Sequence, residues 1–406
     1  MITLGDGRLQ RRDPTGAAEL RGVDMKTHAA VLWGRGQDWR IEEIDLDPPR
    51  DQEVLVKWVA AGLCHSDEHL RSGDMGAPED TRQAAGLPRL FPIIGGHEGG
   101  GVVVEVGPGV RSLQPGDHVA ASFFPVCGRC KMCVTGHSNL CDLGAATFAF
   151  GQISDGTSRH HLNGEDINFI AKVGTFAEHS VVHEASLVKV DSDVPLGAAC
   201  LVSCGVTTGW GSAVYRAEVR PGETVVVVGI GGVGINAVQG ARMAGAHNLV
   251  AVDPIEFKQK AALDFGATHT AGSMEEALPL VTDLTGGQMA DSVILTPSVM
   301  YGDLMAGALS LTGKGGTCVV TAVAPQTQTE CSINLFELAM YQKEVRGVIF
   351  GAGNPRFDIP NLLGLYKSGQ LKLDELITRR YALDQINEGY EDMINGVNIR
   401  GVITFD

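Results

Sequence analysis

The chain has 406 residues, 44% of them hydrophobic, and 32 Lys and Arg stand against 48 Asp and Glu for a formal net charge of −16. A single core rarely grows past roughly 250–300 residues, so two domains are expected, and the apolar content is ample for both. The acidic balance and the lack of a basic patch exclude nucleic-acid and anionic-membrane binding, and no run is long and apolar enough to span a membrane.

Residues 1–24 carry Arg11 and Arg12 without an apolar stretch behind them, which argues against an export signal. They read as a disordered or over-annotated extension. From 25 to about 205, short strand patterns alternate with Gly and Pro, as in GVVVEVGPGVRSLQPGDHVA, and predict a β-barrel-like domain. This stretch holds Cys64 in AGLCHSDEH, His97 in GGHEGGG and, at its end, Cys204 in LVSCGVTTGWG. Taken singly, each is more often a buried small residue or a hydrogen-bonded core histidine than a ligand. Together they offer two thiolates and an imidazole, the set that leaves one zinc position open to water or substrate.

Between His97 and Cys204 lies PVCGRCKMCVTGHSNLC, with Cys127, Cys130, Cys133 and Cys141. Short CxxC hops let a tight loop wrap an ion in a closed tetrahedral four-thiolate site, so this zinc staples a loop and does no chemistry. Unmetallated thiols, two disulfides or an iron–sulfur cluster are the rival readings. Free thiols without a signal peptide imply the cytoplasm, where thiols stay reduced.

From about 206 to 349, apolar strands alternate with helical patterns, which predicts a parallel sheet with helices on both faces. The run TVVVVGIGGVG places a buried strand directly before Gly229, Gly231, Gly232 and Gly234, and a second strand, NLVAV, ends in Asp253. Glycines there admit a pyrophosphate at the helix N-terminus, and an acid at the second strand's end binds the adenosine ribose while repelling a 2′-phosphate. NAD is therefore favoured over NADP. A doubly wound sheet that binds no nucleotide is the alternative.

These motifs resemble the zinc-containing medium-chain alcohol dehydrogenase family over nearly the whole chain, Met25 to Phe405, including the terminal INEGYEDM and NIRGVITF. CHSDEH, GTFAEHSVV, SCGVTTGWGSAVY and LITRRYALDQINEGY look most like its nicotinoprotein branch. Members of that branch hold NAD(H) tightly and pass electrons to an external acceptor, for which a nitrosoaniline dye can substitute. The resemblance implies an α/β fold. A Rossmann-type doubly wound parallel sheet would occupy 206–349, and a GroES-like β-barrel catalytic domain with a structural-zinc lobe would occupy 25–205, joined by the returning tail, 350–406. It also implies two Zn2+ per chain, NAD, a small-molecule alcohol or aldehyde as substrate, and a homo-oligomer joined through the nucleotide domain's last strands.

Residue roles follow from the same resemblance. Ser66 takes the alcohol proton and passes it through the nicotinamide ribose to His69 at the surface. Asp67 orients His97. Glu98 matches a zinc-proximal glutamate, left here between transient ligand and electrostatic neighbour. His65 and Arg400 match pyrophosphate contacts, Lys258 a ribose contact, Thr208 a nicotinamide-side contact, and Phe123 an apolar wall of the substrate pocket. One departure is a connection over 74–92, about a dozen residues longer than usual, which would narrow access or dock a redox partner. Two other functions remain open on the sequence alone: a thiol-adduct-dependent formaldehyde dehydrogenase, and a non-catalytic zinc-stapled binding protein.

Overall fold

The computed structural model describes residues 25–144 and 150–405, so the reading of 1–24 lies outside the described residues. Thr224–Val228 is buried along its whole length, as a continuous apolar run must be in a strand covered on both faces. It pairs in parallel with Asn248–Val252 on one side and Ala290–Leu295 on the other. The six-stranded sheet continues to His269–Ala271 beyond the first neighbour, and through Thr312–Val320 to Glu344–Gly347 beyond the second. Chain order reverses at Thr224–Val228, so the loops leaving it and its neighbours diverge and open a crevice at their carboxyl ends.

Two largely antiparallel sheets are built from the rest. In the seven-stranded one, Glu53–Gly62 pairs with Glu98–Val106, with His179–His183 and, from the far end of the chain, with Arg400–Thr404. The six-stranded one has the paired strands Met25–Leu32 and Arg40–Leu46 at its middle. The returning last strand thus sets Arg400 beside the ends of two strands from the first half, at Gly62 and Glu98. A fully buried ion pair braces this half: Arg159 donates from Nε and Nη2 to the two carboxylate oxygens of Glu53, both at 2.8 Å. Fork-to-fork geometry of this kind is what makes two buried charges tolerable.

One apolar core runs from Val188 and Val190 through Leu201, Val206 and Trp210 to Val225, Val227 and Val238, so the two halves share packed side chains. Helices Leu196–Val202 and Gly205–Gly211 form the bridge. The close approach needs glycine: a Cβ on Gly209 would lie 2.0 Å from the Val233 carbonyl oxygen.

Candidate active site

Four of the expected metal-site residues converge. Cys64, His97, Glu98 and Cys204 are all buried, and one ligand atom from each lies within 4.8 Å of the others. Backbone architecture delivers them. Cys64 caps the helix His65–Ser72, Cys204 caps Gly205–Gly211, and His97 and Glu98 sit where strand Glu98–Val106 begins. Two helix N-termini thus face the cluster, and their partial positive charge favours thiolates.

The donor groups strongly shift one another's protonation. A hydrogen bond from the Cys204 thiol, opposed by burial and helped by His97, holds Cys64 well below the usual thiol range. That same bond, with burial, pushes Cys204 up, so the pair shares one proton. Burial presses His97 down, but the Asp67 carboxylate and Cys64 outweigh it and raise it. Asp67 Oδ2 lies 2.9 Å from His97 Nδ1, while His97 Nε2 is buried without a partner among the described residues. An orphaned imidazole nitrogen beside two thiols and a carboxylate fits a zinc ion, whose binding displaces exactly such ligand protons.

Glu98 faces away from a purely ligating role. Its carboxylate makes a very close ion pair with Arg400 and accepts the Gly205 N–H at 3.0 Å. Burial pushes the Glu98 carboxyl up to about 7, against the pull of Arg400. Arg400 also donates to the Leu63 carbonyl at 3.1 Å. Its guanidinium runs through a slot that only glycines leave open: Cβ atoms on Gly205 and Gly232 would lie 2.3 Å from Arg400 Nη1 and Cδ. One side chain therefore touches both the metal-site glutamate and the glycine turn.

That turn opens a cleft of ≈ 530 Å³ whose lining includes Gly229, Gly231, Gly232, Asp253, Lys258 and Arg400, with Cys64 and His65 at one end. Gly229 has φ 90°, and a Cβ on Gly234 would lie 1.9 Å from the Gly229 carbonyl oxygen, so the tight turn requires both glycines. Gly231 has open space where its Cβ would stand, a cradle that a pyrophosphate can occupy. Asp253 holds the turn in place as well: its oxygens accept the N–H groups of Ile230 at 2.7 Å and Ile255 at 2.9 Å. Burial pushes His65 down to about 4, which leaves it an uncharged lining group. Thr208 is buried, and its hydroxyl has no partner among the described residues.

Ser66 Oγ lies 3.8 Å from Cys64 Sγ, beside the candidate metal cluster. His69 departs from expectation. The sequence reading put it at the surface, yet it is 3% exposed, because the chain turns back over it after Gly73. Phe123 packs edge-on against His97, with ring centres 5.5 Å apart. Sequence reasoning missed its companion Phe350, 5.2 Å from Phe123, on a loop where Phe350, Gly351 and Ala352 all have positive φ. Such left-handed backbone costs on the order of 1–3 kcal/mol per non-glycine residue and persists where the surroundings demand it. The 74–92 connection folds on itself: Arg82 donates twice to the Pro88 carbonyl, and Leu90 enters the core.

The second cluster, Cys127, Cys130, Cys133 and Cys141, also lies within 4.8 Å. Sulfurs at about 2.3 Å from a tetrahedral zinc are about 3.8 Å apart. The Cys127–Cys133 and Cys130–Cys141 separations are both 3.9 Å. Backbone N–H groups of Arg129 and Cys130 point at Cys127 Sγ and hold that thiol down at about 6, whereas burial pushes Cys141 up to about 12.

Residues 50–192 match the alcohol dehydrogenase GroES-like domain, and residues 232–368 match the zinc-binding dehydrogenase domain. The chain is 50% identical to an NDMA-dependent alcohol dehydrogenase of Amycolatopsis methanolica, covering 93% of this chain and 99% of that one. It belongs to the zinc-containing medium-chain alcohol dehydrogenase family. Alcohol dehydrogenase B of Mycobacterium tuberculosis is 48% identical over 94% of this chain and 99% of its own length. The fold matches solved members too. Benzyl alcohol dehydrogenase from Acinetobacter calcoaceticus superposes with a TM-score of 0.83 at 29% identity, covering 94% of this chain and 100% of that one. An alcohol dehydrogenase zinc-binding domain protein from Burkholderia ambifaria gives 0.84 at 30% identity, covering 95% of this chain and 100% of that one. This alcohol dehydrogenase therefore combines the GroES-like barrel and the Rossmann-type sheet, as the α/β reading anticipated.

Proposed function

We propose that this dehydrogenase oxidises primary alcohols to aldehydes at the Cys64–His97–Cys204 cluster, with NAD held in the adjoining cleft and retained between turnovers. A zinc ion held at the cluster would supply Lewis acidity toward the alcohol oxygen, and NAD⁺ held in the cleft would supply the hydride acceptor. Cys64, His97 and Cys204 would hold that ion, with Glu98 beside it and Asp67 fixing the imidazole. Cys127, Cys130, Cys133 and Cys141 would hold a second, structural ion. The observation that carries the reading is Arg400, whose guanidinium joins Glu98 to the glycine turn, so that the metal site and the nucleotide cleft share one side chain.

The chain's own groups divide the work. Gly231 and Gly232 admit the pyrophosphate, and Arg400 meets its charge. Asp253, an anion in the cleft wall, discriminates against a 2′-phosphate, and Lys258 lies beside it for the ribose. Thr208 offers its unpaired hydroxyl to the nicotinamide side. Phe123 and Phe350 exclude water and favour an apolar carbon chain. Ser66, next to Cys64, receives the alcohol proton and passes it outward to His69.

Cofactor retention and an external electron acceptor are supported by the likeness to the NDMA-dependent enzyme across almost both whole chains. A homo-oligomer is supported by the sheet's last strand, Glu344–Gly347, which among the described residues has a neighbour on one side only, and by Leu335 and Phe336 shortly before it in the chain, 72% and 69% exposed. An open edge next to large apolar side chains suits a second copy. Metal analysis with an alcohol-oxidation assay tests the whole reading. Two zinc ions per chain with alcohol-dependent nicotinamide reduction support it; one zinc and no turnover contradict it.

A further inference from the structure

A proton handed to His69 meets a barrier, because the imidazole is only 3% exposed. The carboxylate that reaches water is Asp74, whose side chain is 27% exposed. Local structure brings the two together. Helix His65–Ser72 ends at Gly73, whose φ of 92° and ψ of 8° lie in the left-handed region that glycine tolerates. The N–H groups of Gly73 and Met75 both return to the His69 carbonyl, at 3.1 and 2.9 Å. This reversal lays Asp74 across the ring: Oδ2 lies 3.3 Å from His69 Nδ1 and accepts the Ser72 hydroxyl at 2.7 Å.

Asp74 is also pinned from the nucleotide half. Its carbonyl accepts the Gln326 N–H at 3.3 Å, from the loop that follows strand Thr312–Val320. The Ser72 hydrogen bond, against burial and with help from His69, holds the Asp74 carboxyl below its ordinary range, so it stays ionised at working pH. Among the described residues, the titratable or charged groups recorded against this face include His65 and Arg35. The His65 ring centre is 6.2 Å away, and burial keeps that ring neutral. Arg35 lies against Gly73 and donates to the Gly76 carbonyl.

We propose that Asp74 is the outer positioning residue of the proton exit: it fixes Nδ1–H of His69, leaves Nε2 as the ring's acceptor, and conducts the surplus proton to water. One proton enters at Nε2 and one leaves from Nδ1 past Asp74, and no electrons change hands. The inference rests on the relay reading of Ser66 and His69, and the test separates the two.

Asp74→Asn, Asp74→Glu, His69→Gln and the double variant Asp74→Asn/His69→Gln would be compared in single turnovers of 1-butanol on the NAD-loaded enzyme. Hydride transfer is followed by nicotinamide absorbance and proton release by an indicator dye. Asp74→Asn should slow proton release about tenfold below about pH 7, with the deficit closing as hydroxide takes over at higher pH. Asp74→Glu should recover most of the rate, and Asp74→Asn should add nothing in the His69→Gln background. A wild-type pH profile for Asp74→Asn alongside an altered one for His69→Gln overturns the role of Asp74 alone. An unaltered His69→Gln profile overturns the relay itself. A loss in Asp74→Asn that is independent of pH and persists in the His69→Gln background marks a structural role and also overturns the proposal.

Discussion

Asp67 binds two parts of the metal site at once: Oδ2 lies 2.9 Å from Nδ1 of His97, and Oδ1 accepts the Gly96 N–H at 2.9 Å. The carboxylate therefore sets both the ring and the backbone that carries it, and Nε2 has no hydrogen-bond partner among the described residues, as the proposed ion site requires. Asp67→Asn keeps an acceptor for Gly96 but removes the charge. Zinc affinity should fall about 10- to 100-fold, read by competition with a chromogenic chelator, with little change in Tm. Unchanged affinity would show that Asp67 does not act through the metal.

The two cysteine clusters should respond in opposite ways. Cys64→Ser should abolish turnover and barely move Tm, because that site lies at the junction of elements already held by other packing. Cys130→Ser should lower Tm sharply or cause aggregation, since a closed thiolate site contributes folding free energy directly. Differential scanning calorimetry with metal analysis reads both. A Cys130→Ser protein with full stability and two zinc ions would contradict the staple assignment.

His160 makes the fold acid-sensitive. It is fully buried against Phe169, with ring centres 4.7 Å apart, and neither ring nitrogen has a partner among the described residues. Burial pushes its pKa down to about 3. A base lowered in the folded state contributes its stability fully above the unfolded pKa, near 6.5, and loses it as pH falls toward the folded value. At pH 5 the cost is about 2 kcal/mol. His160→Phe should therefore gain stability relative to the parent between about pH 6.5 and 3, in urea melts across that range. A difference that does not vary with pH would contradict it.

The exposed edge at Glu344–Gly347 makes the proposed oligomer testable. Phe336→Asp, on the exposed helix Leu335–Met340, should shift the mass measured by light scattering toward the monomer and leave the zinc content unchanged. An unchanged mass would place the subunit contact elsewhere.

What the sequence made legible was what lies close along the chain. The four-cysteine lobe spans fifteen positions, from Cys127 to Cys141, and the strand before Gly229 announces the glycine turn through its valine run. The dispersed candidate ligands Cys64, His97 and Cys204 are weak signals alone and gain meaning from their combined chemistry and from the family resemblance. Three features stayed hidden because they arise only from tertiary contact. The Glu53–Arg159 pair joins residues 106 apart. Phe350, just beyond the parallel sheet's last strand in the chain, reaches Phe123. The third is His69: its burial depends on how the chain reverses at Gly73, and a lone glycine does not announce what the next residue will cover.

The measurement closest to the heart of the mechanism mixes the purified chain with a primary alcohol and a nitrosoaniline dye, with no nucleotide added, and follows dye bleaching. Sustained bleaching over many turnovers is the predicted result, since on the proposed reading NAD would stay in the cleft and be reoxidised there. No bleaching until free NAD⁺ is supplied would contradict cofactor retention and leave an ordinary dehydrogenase with exchangeable NAD.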